Sequence, residues 1–259
     1  MRTVKSSAEE SQTLEHVILQ MEERLEVLED RDDYGSVFLR VYLLMTKEMQ
    51  KRLASDFFFD PIWMEGLLIH FAERYFQAMD NLHSGKEAST CWTLAFRMAE
   101  QKQTFVLQDA LLGINAHINY DLPLALHHII SKEKIWPDSR LMLQRRKDHE
   151  RINDVLAELV DLVQDELASH YARFLKWVDR LMRRHDETLS SFFLTHCRTN
   201  VWYNTELLLN TTNIEQYKKE RQRMDEEAHR IGLEIAAFHS RRLSFTKHVV
   251  PLSRKYKWF

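Results

Sequence analysis

Apolar residues recur along most of this chain at intervals of three and four, the spacing that lines up one face of an α-helix. Leu14, Val17, Ile18, Met21, Leu25 and Leu28 follow Ser7 and Glu10, which stand in capping-box relation, so residues 7–30 are expected to form an amphipathic helix. RDDYGS ends it, and VFLRVYLLMTKEMQKRL predicts a second helix over about 37–53. Asp60 before Pro61 makes a good start for a third, from Ile62 to about Asp80. Its broad apolar face includes Trp63, Leu67, Phe71 and Tyr75, whereas His70, Glu73 and Gln77 form a narrow polar strip beside it. Such a strip points to a helix covered on more than one side, with polar partners or a cavity opposite the strip.

HSGKEAS reads as a loop leading into a short helix, CWTLAFRMAEQKQ, which presents Trp92, Ala95 and Phe96. The stretch that organises the rest follows: Leu111–His128, LLGINAHINYDLPLALHH, a central helix with four polar residues inside an apolar run. Asn115 and Asn119 share one side, and His117 and Asp121 lie four apart on roughly the opposite side. Apolar residues fill the sectors between, so the helix is expected to be buried all round. Each polar group then needs a partner or a ligand, since leaving one unsatisfied costs about 1–3 kcal/mol.

Pro123 and the segment SKEKIWPDS predict a break before a long helix from about Arg140 to His170. Its stripe of Ile152, Val155, Leu156, Leu159, Val163 and Leu167 runs backwards into Arg145, Asp148 and His149, so its first turns are ionic where its middle is apolar. Buried charges persist when paired or metal-bound. LSSFFLTHCRTNVWYNTELLLN embeds His196 and Asn200, again four apart, in an apolar face. Residues 212–240 read as a partly solvated helix, and 241–259 as an extended basic and aromatic tail.

Composition narrows the class. Five glycines and four prolines in 259 residues are too few for a many-stranded fold, so an all-α, single-domain multi-helix bundle is expected. A formal charge of −3 gives no reason to expect nucleic acid as the main partner. No apolar run is long enough for a membrane span, the first residues lack a signal-peptide core and two cysteines make no disulfide framework, so a cytoplasmic protein is expected. A small-molecule substrate is the expected partner, and a homodimer is compatible with the sequence.

Three kinds of function fit. In the first, Glu73, His117, Asp121 and Asp148, joined by His70 or His196, hold a divalent ion (Zn, Mn, Fe or Mg) that activates water or a substrate oxygen. Asn115, Asn119, His149 and Asn200 would line the bound group. The protein would then be a metal-dependent hydrolase or lyase acting on a small, largely apolar or phosphate-bearing substrate. In the second, an aromatic pocket with His117 and Asp121 as acid and base serves an isoprenoid cyclase or isomerase, although no D-D-x-x-D run is present. In the third, the polar residues of the central helix satisfy one another in a non-enzymatic scaffold.

Two resemblances bear on this choice. His117, Asp121 and His127, spaced H-x-x-x-D-x-x-x-x-x-H, resemble a segment of the helical zinc-dependent phospholipase C and single-strand nuclease superfamily, which would imply phosphodiester hydrolysis. Asn153 stands four residues after His149, where a second ligand helix of that kind would need Asp or Glu. Gly113–Leu122 (GINAHINYDL), together with Trp92–Phe96, DHERIN at Asp148–Asn153 and Val201-Trp202, resembles an uncharacterised helical domain family of bacteria and fungi. That resemblance implies a helical fold with its site at the central helix and no particular reaction.

Overall fold

The computed structural model describes residues 13–102, 104, 106–133, 138–156 and 200–237. Every regular element among them is helical. Helix α1 spans Leu14–Asp30 and is capped by Thr13, whose side chain accepts from His16 N. The cap foreseen at Ser7 lies outside the described residues. After a turn in which Asp32 is left-handed (φ 55°), α2 spans Gly35–Leu53, with the Asp33 carboxylate accepting from Gly35 N at 2.8 Å. Helix α3, Pro61–His83, begins as its sequence indicates: Asp60 accepts from Trp63 N at 3.0 Å, and Pro61 occupies the first turn, where its missing N–H costs nothing.

Helix α4 spans Thr90–Gln101 and draws its cap from far along the chain. The Asp225 carboxylate takes Thr90 N at 2.8 Å and Cys91 N at 2.9 Å, while Ser89 makes no side-chain cap. The central stretch comprises α5 (Val106–Ala116), a π-helical turn (His117–Asp121) and α6 (Leu122–Glu133). Pro123 does not break it: the chain stays helical through the proline to Glu133. Helical residues 139–156 (α7) and 200–209 (α8) follow, then α9, Ile214–Ala237. The later part of the foreseen long helix and the tail from 241 onward fall outside the described residues.

The central stretch lies in the middle of the bundle. Helix α5 packs against α2, α4 and α9, the π-turn against α3 and α9, and α6 against α3. Leu124, Ala125, Leu126 and Ile130 are fully buried. Close approach is built in by glycine: a Cβ on Gly113 would fall 2.4 Å from the ring of Phe38 on α2, and one on Gly232 of α9 would fall 2.9 Å from Leu94. No described helix is long and apolar enough to cross a membrane.

Candidate functional site

The backbone itself changes register where the polar residues cluster. Leu122 N bonds to His117 O, five residues back, so the α-helix widens by one residue for a single turn. Pro123 supplies the reason, because its ring crowds the carbonyl four residues earlier, that of Asn119, and offers it no N–H. Neither helical periodicity nor the proline rule predicts this outcome, since both assume a uniform helix that continues or stops.

The widened turn carries His117 and Asp121. His117 Nδ1 lies 3.0 Å from Asp121 Oδ2, and the same oxygen accepts from Trp92 Nε1 at 2.8 Å. A carboxylate can only accept, so the proton sits on Nδ1 and Nε2 carries the lone pair. Both residues are 3% exposed. Burial pulls the His117 pKa below the usual histidine value, with Asp121 opposing, so the imidazole is neutral at physiological pH. Its Nε2 is buried without a hydrogen-bond partner among the described residues.

Aromatic rings surround this imidazole. Phe71 stacks on it face to face, with centroids 3.5 Å apart and planes 6° apart, and Tyr42 meets it edge-on at 4.4 Å. Phe38, Tyr75 and Trp92 stand 5.7, 6.0 and 6.1 Å away. Phe71 is half-buried, whereas the other four rings are buried. Burial pushes the Tyr42 hydroxyl well above its ordinary pKa, and the Asp121 charge adds to the effect.

The asparagines behave differently. Asn115 Nδ2 donates to Ala228 O on α9 at 2.7 Å, and Asn119 Nδ2 donates to Asn115 Oδ1 at 2.8 Å. The result is a buried chain of amides joining the central stretch to α9. Helix α9 closes a second contact nearby, where Arg221 Nε donates to the Tyr120 hydroxyl at 2.7 Å.

The other foreseen ligands go elsewhere. Asp148 is fully buried, but its two oxygens accept from Phe59 N (2.8 Å) and Asp60 N (2.9 Å), pinning α7 to the start of α3. Arg145, beside it, bridges Asp60 and Glu133 at 2.6 Å each and lies over the Trp63 ring. His149 is buried with its ring 5.9 Å from that of Trp202. Glu73 pairs with His70 at 2.7 Å on the outward side of α3. The reason is angular: Glu73 sits two residues from Phe71 and from Tyr75, about 200° around the helix from the rings that enclose His117. His127 packs near Tyr217, and Asn200 is exposed. His196 lies outside the described residues. Among the described residues, no group of three or more His, Cys, Asp or Glu side chains is arranged to hold a metal ion.

The structure thus joins His117 to Asp121, adds Trp92 and the aromatic rings, and separates Glu73, His70, Asp148 and His149 from them. Sequence reasoning had Trp92, Phe71 and Tyr75 only as core residues, because an apolar stripe does not say what it packs on. It missed Asp109 altogether. This carboxyl on α5 is 4% exposed, bonds through Oδ1 to the Thr104 hydroxyl, and has no partner for Oδ2 among the described residues. Burial pushes its pKa up to about 7, against the Thr104 bond, and the charge of Asp33 adds to the rise.

The chain belongs to a family of unknown function, DUF5995, whose sequence profile matches residues 14–238. That agrees with the resemblance to an uncharacterised helical family. No curated protein and no solved structure matches the chain.

Proposed function

We propose that this member of the family is an enzyme in which His117 transfers a proton on a small, largely apolar substrate, as an isomerase, cyclase or lyase would. The observation that carries this reading is the His117 imidazole itself. One nitrogen is held by Asp121, which Trp92 holds in turn, while the other keeps its lone pair, buried and without a hydrogen-bond partner among the described residues. Orientation of one ring nitrogen by a carboxylate is how proteins prepare the other to take a proton. Leaving that nitrogen without a partner costs about 1–3 kcal/mol, which a proton or ligand taken up there would recover. Asp121 and Trp92 are positioning residues, and the surrounding rings favour an unsaturated or otherwise apolar molecule over a strongly hydrated one. His117 is closed off, so a substrate would enter by turning aside Phe71, the half-buried ring stacked on it.

A metal-dependent version remains a separate proposal. His117 Nε2 is the nitrogen that would bind a divalent ion, and metal analysis of untagged protein tests it. The scaffold reading has its own support in the Asn119–Asn115–Ala228 chain, where amide donors find acceptors within the protein.

Incubation in D2O with a panel of isoprenoid and other unsaturated compounds separates these readings. Proton transfer should appear as deuterium incorporation or product. His117→Gln, checked for native circular dichroism, should lower it by about 100-fold or more. Undiminished exchange in that variant would remove His117 from the chemistry. Absence of exchange with every compound, together with a lowered melting temperature as the variant's only consequence, would favour the scaffold.

A further inference from the structure

The polar strip of α3 opens onto a surface recess of about 520 Å3 between α1, α3 and α6, well apart in chemistry from the buried imidazole. Its charges are unevenly matched. Arg24 gives two bonds to Asp80, at 2.7 and 3.2 Å, and His70 Nδ1 is held by Glu73 Oε2 at 2.7 Å. Arg74 has no carboxylate partner among the described residues; its Nη2 makes one long contact, 3.4 Å, to Leu124 O. The ring of His128 meets that of His70 at 4.5 Å. Burial lowers the His128 pKa, His70, Lys132 and Arg74 lower it further, and Glu73 opposes them; Arg74 also lowers that of His127. The recess carries as many carboxylates as guanidiniums, and with Asp80 taken by Arg24 and Glu73 by His70, Arg74 is the cation left without a carboxylate partner among the described residues, beside a volume within the range of small-molecule sites, about 300–1,000 Å3.

We propose that this recess binds a small phosphate-bearing molecule, with the Arg74 guanidinium and the His128 imidazole as donors and the His70 ring, oriented by Glu73, completing the cradle. A guanidinium with unused donors in a fixed fork matches phosphate oxygens better than a point charge would. Two imidazoles add N–H groups that gain charge as the anion arrives. The site is independent of His117, so either can fail without the other.

The test follows the histidine ring signals by NMR while inorganic phosphate, pyrophosphate or citrate is added at mildly acidic pH. Phosphate and pyrophosphate should move the His70 and His128 signals saturably. The His128 titration should shift upward in their presence, because a bound anion offsets Arg74 and Lys132. Arg74→Gln should weaken binding by about tenfold or more. Gln77→Glu, at an exposed position of the same recess, should weaken it by repulsion and serves if the first variant fails to fold. No saturable movement, or movement unchanged in both variants, would overturn the site. An equal or stronger response to citrate would overturn the phosphate assignment.

Discussion

The cluster at the start of α3 and the pair on the π-turn both bury ionisable side chains in an apolar bundle, and they do so in opposite ways. Around Asp148, oxygens meet backbone N–H groups, Arg145 spans Asp60 and Glu133, and three helices are pinned together where α6 gives way to α7. Around His117, the hydrogen-bonded chain runs from Trp92 through Asp121 to one ring nitrogen and goes no further among the described residues. Burial alone therefore does not mark a site. The informative property is the kind of group left unmade: the carboxylates and guanidinium of the α3 cluster are paired and only a donor, Trp63 Nε1, lacks a partner among the described residues, whereas at His117 it is a lone pair that can take a proton.

The sharpest test of this contrast lies in the α3 cluster. Asp148→Ala strands two backbone donors and removes a buried acceptor, so urea denaturation should show a loss of about 3–5 kcal/mol. A loss under about 1 kcal/mol would mean that the cluster does not pin these helices together.

Asp109 gives the next largest effect and a distinctive pH dependence. Its pKa is raised in the folded state to about 7, so the protonated carboxyl contributes stability that is present below the unfolded value, near 4, and lost as pH rises towards 7. Asp109→Asn should therefore gain about 3 kcal/mol relative to wild type between pH 5 and pH 8. Parallel stability profiles for the two proteins would refute it.

Gly113→Ala should cost about 1–3 kcal/mol, because the added methyl meets the Phe38 ring, one of the rings around His117. Near-ultraviolet circular dichroism, which reports the aromatic box, should change with it.

The smallest effect comes from His117. Its pKa is lowered on folding, so its contribution is present above the unfolded value, near 6.5, and lost as pH falls. Below that pH the wild type should lose stability relative to His117→Gln by at most about 1.4 kcal/mol per pH unit. A wild type that gains stability on acidification relative to the variant would show that the imidazole is charged when folded, reversing the basis for its role as a base.

The all-helical class was legible in the sequence because glycine and proline are scarce and apolar spacing is regular. The start of α3 was legible because Asp60 and Pro61 act on their own helix. The capping of α4 was not, since its donors are satisfied by Asp225 on the last described helix. Asp148 illustrates the same limit at the site. Its place on the apolar stripe of its helix left it either reaching past the core edge into water or meeting buried polar groups, and nothing local distinguished water or a metal from the backbone N–H groups of Phe59 and Asp60. Glu73 and His70 were recognised as a strip facing polar partners or a cavity, and the angle between Glu73 and Phe71 then separated that cavity from His117.

The stretch 111–128 divides the two kinds of information most clearly. Sequence alone determined that it is helical, buried and in need of polar partners, because these follow from residue types and spacing over a few turns. Tertiary structure decided which partners each residue found: Ala228 for Asn115, Trp92 for Asp121, and for His117 a box of rings drawn from three other helices. Those choices depend on which helix faces break the solvent's access to which groups, a property of packing between distant segments that no local pattern encodes.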